Sequence, residues 1–195
     1  LPLIFCRKDA GIRSPKDLEG KRVGTRQYRT AVTLWVNGFL QDHYGVDRAK
    51  IRWVTQVRHV FPPATPAADV ECIGEKGSVI DLLLDGEIDA IVTDISDVGL
   101  FDRLENAPNV VRLFADYEAE ELKLYRKTGI YTPMHVMVMS RKLDRDNPGL
   151  ALKLYRAFEK SKEIAYQDIA SDRAGFSVVY LRERFKEQQK AWGDP

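Results

Sequence analysis

This sequence predicts an α/β layered domain with a largely parallel sheet, and three observations lead there. Strand-like and helix-like periods alternate along residues 21–93. The strand-like runs are short, apolar and partly β-branched, as in strands buried on both faces. Capping residues and glycines punctuate the joints between them. The order strand, helix, strand, loop, helix, strand is the pattern of layered α/β domains.

Each element has a local reason. The opening residues LPLIFCR read as a strand already under way. Ser14-Pro15, with Asp17 three positions after the serine, has the form of an N-cap, a proline at the first helical position and a capping partner, so a short helix should run to residue 19 and end at Gly20. KRVGT (21–25) is the next strand. Over residues 30–44, Ala31, Val32, Leu34, Trp35, Val36, Phe39 and Leu40 recur at helical spacing, and Gly45 suits the C-cap. Residues 51–54 form a strand, the prolines of FPPATPAAD mark a loop, residues 78–84 form a helix closed by Gly86, and IDAIVT (88–93) is a buried strand. Residues 110–114 and MHVMVM (134–139) are two further strands. Asn147-Pro148 starts a helix whose Ala151, Leu154, Tyr155, Phe158, Ala165 and Ile169 share one stripe and should pack on a core. A highly charged helix over 182–192 is the last element.

Composition narrows the function classes. A chain of 195 residues with 44% hydrophobic residues can bury one core, or two small ones. Thirty basic and 29 acidic residues leave a net charge of +1, which supplies no global field for nucleic acid, so charge recognition must be local. Cys6 and Cys72 fit neither a disulfide framework nor a metal-ligand spacing, and reduced thiols are expected. No apolar run approaches the ~20 residues of a bilayer span, and no signal-peptide pattern opens the chain. The sequence starts at Leu1 rather than Met, so a processed or truncated product is one expectation.

Candidate chemistry gathers at two places. In open α/β sheets ligands collect at the carboxyl ends of strands, where helix N-termini offer free N–H groups. After KRVGT stand Arg26, Gln27, Tyr28, Arg29 and Thr30. The arginines suit a carboxylate and Tyr28 suits stacking on a ring. The plainer alternative is a solvated loop with Thr30 as a helix cap. His135, close to Tyr131 and Pro133, could exchange a proton near neutral pH, although a lone strand histidine is more often structural. His43 and His59 share no metal-binding spacing with it. Asp94 and Asp97, after IDAIVT, could face the same cleft, and a cap or turn is the bland reading of Asp97. GEKGS (74–78) lacks the spacing of a P-loop or a dinucleotide fingerprint, and no nucleophile motif is present. Neither a metal nor a cofactor is expected.

GIRSPKDLEGKRVG resembles the opening segment of a lobe in type 2 periplasmic-binding-protein folds, including the taurine and thiamine-precursor group of solute-binding proteins. Tyr28 with TAVTLWVNGFLQDHYGV, then GEIDAI, NVVRLFADY and YRKTGIYTPMHVMVM, in that order and spacing, resemble the 4,5-dihydroxyphthalate decarboxylase family. The resemblance covers nearly the whole chain and is weakest over 56–71. It implies a carboxy-lyase for a hydroxylated aromatic (di)carboxylic acid on the binding-protein fold. His135 would be the acid or orient the substrate, Arg29 or Arg58 would clamp a carboxylate, and Tyr28, Thr30, Asp94 and Tyr131 would line the substrate.

The same resemblance implies a hinge strand over 1–8, an α/β lobe over 9–129, a return hinge strand over 130–140 and the helical part of an incomplete first lobe over 141–195. Two departures stand out. The family pattern has an Arg-Pro element after GEIDA, where this chain has Thr93-Asp94-Ile95-Ser96, and the family is longer at both ends. The rival reading is a non-catalytic solute-binding protein that feeds an ABC transporter with a small organic acid, and a third is a truncated product with neither activity. A small aromatic or organic acid is the expected partner, with no nucleic acid and no membrane span, and a homo-oligomer is left open. The enzyme reading implies the cytoplasm, and a signal peptide upstream of Leu1 would imply the periplasm.

Overall fold

A computed structural model describes residues 3–57, 70–74, 77–93, 98–171 and 180–193. The chain divides into two units, Leu1–Leu124 with Thr132–Met134, and Tyr125–Tyr131 with His135–Pro195.

The first unit is built on strands β1 (Ile4–Arg7), β2 (Arg22–Thr25), β3 (Arg52–Thr55), β4 (Val70–Cys72), β5 (Ala90–Val92) and β6 (Val110–Arg112), joined in one sheet in the order β4-β3-β2-β5-β1-β6. β2 pairs in parallel with both β3 and β5, and β3 with β4. β1 runs antiparallel to β5 and to β6, so the sheet is largely parallel, as expected, with one reversed strand.

Both faces of this sheet are covered, which is why its strands read as continuous apolar runs. Side chains alternate along each strand. Ile4, Cys6, Val23, Trp53, Ala90 and Val92 pack with Val32, Val36 and Leu40 of helix α1 (Ala31–Tyr44). Phe5, Val54 and Ile91 join Val79, Ile80 and Leu83 of α2 (Val79–Asp85), and Leu104 of α3 (Val98–Glu105). Trp53 is only 1% exposed, and a side chain of that size contributes several kcal/mol, about 3–5 judged by truncation to alanine. Gly24 of β2 is glycine because a Cβ there would sit 2.5 Å from Ile88 Cδ1. α4 (Tyr117–Thr128) buries only Leu124.

The caps follow the sequence closely. The amide and hydroxyl of Ser14 both donate to the Asp17 carboxylate, at 2.8 and 3.0 Å. The helix they start is a single 3₁₀ turn, Pro15–Leu18. Ser78 accepts from the Asp81 amide, and Gly45 and Gly86 close α1 and α2 in the left-handed conformation.

The second unit holds α5 (Arg141–Asp146), α6 (Leu150–Ala170) and α7 (Leu181–Trp192). Tyr166 of α6 meets Phe185 of α7 edge-on at 5.1 Å. Two expectations fail here. The strand over 134–139 does not form: residues 129–140 take no helix or strand, and Val136 and Val138 are 80% and 81% exposed. An alternating apolar run becomes a strand only against a partner, and none of the six described strands pairs with it. Helix α6 forms, starting at Leu150 rather than beside Pro148, but it buries no residue, because a helix pair offers one line of contact and leaves the stripe around Tyr155 and Phe158 uncovered. No described helix is long and apolar enough to cross a membrane. FPPATPAAD lies outside the described residues.

Candidate binding site at the ends of the parallel strands

The carboxyl ends of β2, β3, β4 and β5 share one edge of the sheet. The chain leaves β2 for β3 on one side, while β5 flanks β2 on the other, so the order reverses beside β2. Such a switch point is where ligands bind in open α/β sheets. The loop that leaves β2 there carries Arg26, Gln27, Tyr28, Arg29 and Thr30 into the N-terminus of α1.

Four hydroxyls organise this loop. Thr30 caps α1, its Oγ1 accepting from the Thr33 amide at 3.3 Å. Thr33 Oγ1 lies 3.1 Å from Thr30 Oγ1 and 3.3 Å from Thr25 Oγ1, which ties the end of β2 to the first turn of the helix. On the β3 side, Thr55 Oγ1 donates to the carbonyls of Arg26 and Val57, at 3.1 and 3.2 Å. The Arg26 carbonyl also accepts from the Val57 amide at 2.9 Å. The backbone of the loop is therefore held at both ends, while the Arg26 and Arg29 side chains are exposed.

Tyr28 faces inward. Its ring lies 5.2 Å from that of Trp53 at an interplanar angle of 59° and packs against the core. Asn37, on the buried face of α1, has an Oδ1 with no hydrogen-bond partner. Burial raises the Tyr28 phenol above its usual range, against the opposing pull of Arg48, Asn37 and Arg29. A phenol held neutral in this way serves as a hydrogen-bonding group rather than a base. Within β1, burial pushes the Cys6 thiol up to about 12, with Asp89 adding to the shift, and that cysteine is inert as a nucleophile.

Tyr131 and His135 belong to the second unit. Tyr131 is 57% exposed and stands edge-on to Trp192, which also meets Tyr125 at 5.0 Å. His135 is exposed in the irregular segment. Arg58, His59, Asp94 and Asp97, with Glu75 and Lys76 of GEKGS, lie outside the described residues. Among the described residues no three His, Cys, Asp or Glu side chains form a group that could hold a metal ion.

Sequence reasoning overlooked Thr25, Thr33, Asn37 and Thr55. The available signal was polarity inside an apolar stripe: Thr33 and Asn37 are four residues apart on the buried face of α1, among Val32, Val36 and Leu40.

Comparison with known proteins adds lineage to this geometry. Residues 2–169 match the family model described as NMT1/THI5 like. A 4,5-dihydroxyphthalate decarboxylase of Comamonas testosteroni is 28% identical over 97% of this chain and 59% of its own length. One of Pseudomonas putida is 29% identical over 46% of this chain and 37% of its own length. The chain thus spans about three-fifths of the first relative. An ancestral arginine-binding protein bound to arginine aligns with 65% of this chain and 54% of its own, at 20% identity and a TM-score of 0.29.

Proposed function

The chain belongs to the NMT1/THI5-like family, and from that premise we propose that it is a carboxy-lyase subunit or segment that acts on a hydroxylated aromatic carboxylic acid such as 4,5-dihydroxyphthalate. The observation that carries this reading is the similarity to the Comamonas decarboxylase over 97% of the chain. Loop 26–30 supports it with chemistry of the right kind, two exposed guanidinium groups beside a helix N-terminus for carboxylates and a neutral phenol next to them.

The reaction demands little covalent machinery. In 4,5-dihydroxyphthalate one ring hydroxyl stands para to the departing carboxylate and pushes electron density onto the carbon that bears it. That carbon takes a proton, its bond to the carboxylate breaks, carbon dioxide leaves and the ring regains aromaticity. Protein groups must supply the proton, cations for the carboxylates and exclusion of water. We assign the proton to His135 and the clamp to Arg29 or Arg58, with Tyr28, Thr30, Asp94 and Tyr131 as substrate contacts. The enzyme would work in the cytoplasm.

One observation favours a second reading. The described part of loop 26–30 and its flanks offers binding groups and no side chain that ordinarily titrates near neutral pH, as suits a solute-binding protein for a small organic acid. Incubating the protein with 4,5-dihydroxyphthalate and related hydroxybenzoates, while following carbon dioxide release and thermal shift together, separates the two. Release supports the enzyme. A shift without release supports solute binding, and ligand at 100 times its Kd stabilises by about 2.7 kcal/mol. Neither response refutes both.

A further inference from the structure

Three of the four buried polar side chains among the described residues, Thr25, Thr33 and Thr55, engage loop 26–30 or its flanks. Their exposures are 4%, 0% and 2%. A buried hydroxyl costs free energy unless it is hydrogen-bonded, and valine would fill the same space without that cost. The buried hydroxyls are gathered under one loop, and their bonds run there: Thr55 to the Arg26 carbonyl, and Thr33 to Thr25 and the Thr30 cap.

We propose that Thr25, Thr33 and Thr55 are positioning residues whose buried hydroxyls fix loop 26–30, and with it the Arg26 and Arg29 side chains, for an aromatic carboxylate. This role rests on the functional reading above. The hydroxyls touch no substrate. They act by holding the backbone so that little ordering remains to be done when the anion arrives.

Isosteres separate positioning from stability. In Thr25→Val/Thr33→Val both partners of one hydroxyl pair are removed together, and the half-buried Thr30 hydroxyl still accepts from the Thr33 amide, so the melting temperature stays near that of the wild type. Thr33→Ser keeps the hydroxyl and loses a buried methyl, so it lowers stability and keeps affinity. Thr55→Val leaves the Arg26 carbonyl bonded to the Val57 amide. The expected result is a rise of about 10- to 100-fold in Kd or KM for 4,5-dihydroxyphthalate in the double valine variant, and a rise in Thr55→Val, with kcat changed far less. Amide exchange at Thr33 and Val57 should also quicken in the variants, with or without ligand.

Affinity that follows stability, falling in Thr33→Ser and holding in the double valine variant, overturns the positioning role. So does unchanged exchange at Thr33 and Val57. A wild-type protein that binds no hydroxylated aromatic acid overturns the functional reading and removes the role with it, whereas wild-type binding retained in the valine variants overturns the role alone.

Discussion

Replacing Tyr28 with alanine removes a half-buried ring from the edge of the core. That ring lies 5.2 Å from the ring of Trp53, which is 1% exposed. A fully buried aromatic side chain costs about 3–5 kcal/mol on truncation to alanine, so about 2 kcal/mol is expected for this half-buried one, or roughly 4–8 °C in melting temperature for a chain of this size. An aromatic pair adds about 0.5–1.5 kcal/mol beyond the area it buries, so Tyr28→Ala and Trp53→Leu should couple by about that much. Urea unfolding followed by circular dichroism, completed as a double-mutant cycle, measures both. A Tyr28→Ala protein within about 0.5 kcal/mol of wild type, or additive single changes, would refute the inward placement of Tyr28.

His135→Ala should cut carbon dioxide release by about 10²–10⁴-fold, the usual contribution of a general acid, and leave the melting temperature unchanged because the side chain is exposed. Unchanged release by an active preparation removes His135 from the reaction. Gly24→Ala forces a Cβ to within 2.5 Å of Ile88 Cδ1 and should cost about 1–3 kcal/mol in urea unfolding. The Tyr44 hydroxyl donates to Glu120 at 2.6 Å, and this bond, with Lys123, holds the Glu120 carboxyl below its ordinary 4.5. Its folded value is depressed, so its contribution is present above pH 4.5 and is lost as pH falls through the lower folded value. Melting temperatures between pH 7 and pH 3, a span of about 4 units, should therefore fall more in wild type than in Glu120→Gln, and parallel curves would contradict the pairing.

Local signals were legible wherever the chain carries its own instructions. Thr30 and Gly45 bound α1 at its expected ends, and Ser78 and Gly86 bound α2 within a residue of them. β4 was not foreseen because three residues carry no period; pairing with β3 makes it a strand. α4 lacks an apolar stripe, since only Leu124 is buried, and so gives little periodic signal. MHVMVM shows the converse, a strong strand pattern that none of the described strands pairs with. At the site, the polar composition of loop 26–30 was plain from its position after a strand. The inward turn of Tyr28 was not, because it depends on Trp53 arriving from β3.

The reversed strand β1 has a consequence in time. Its residue Cys6 pairs with Ala90 on one side and Val111 on the other, both more than 80 positions later. Its neighbours in the sheet do not exist when it is synthesised. At the usual pace of translation, about 5–20 residues per second, β1 waits roughly 5–20 s before both flanks are available. During that interval Ile4, Phe5 and Cys6, all at most 1% exposed in the finished sheet, have no strands to cover them. Sheets joined by contacts this distant in sequence also fold slowly, because loop closure must precede the reward of pairing. The parallel strands β2 and β3 can meet early through α1, whereas β1 must wait for β5, and β6, whose sheet partner is β1, can only follow it.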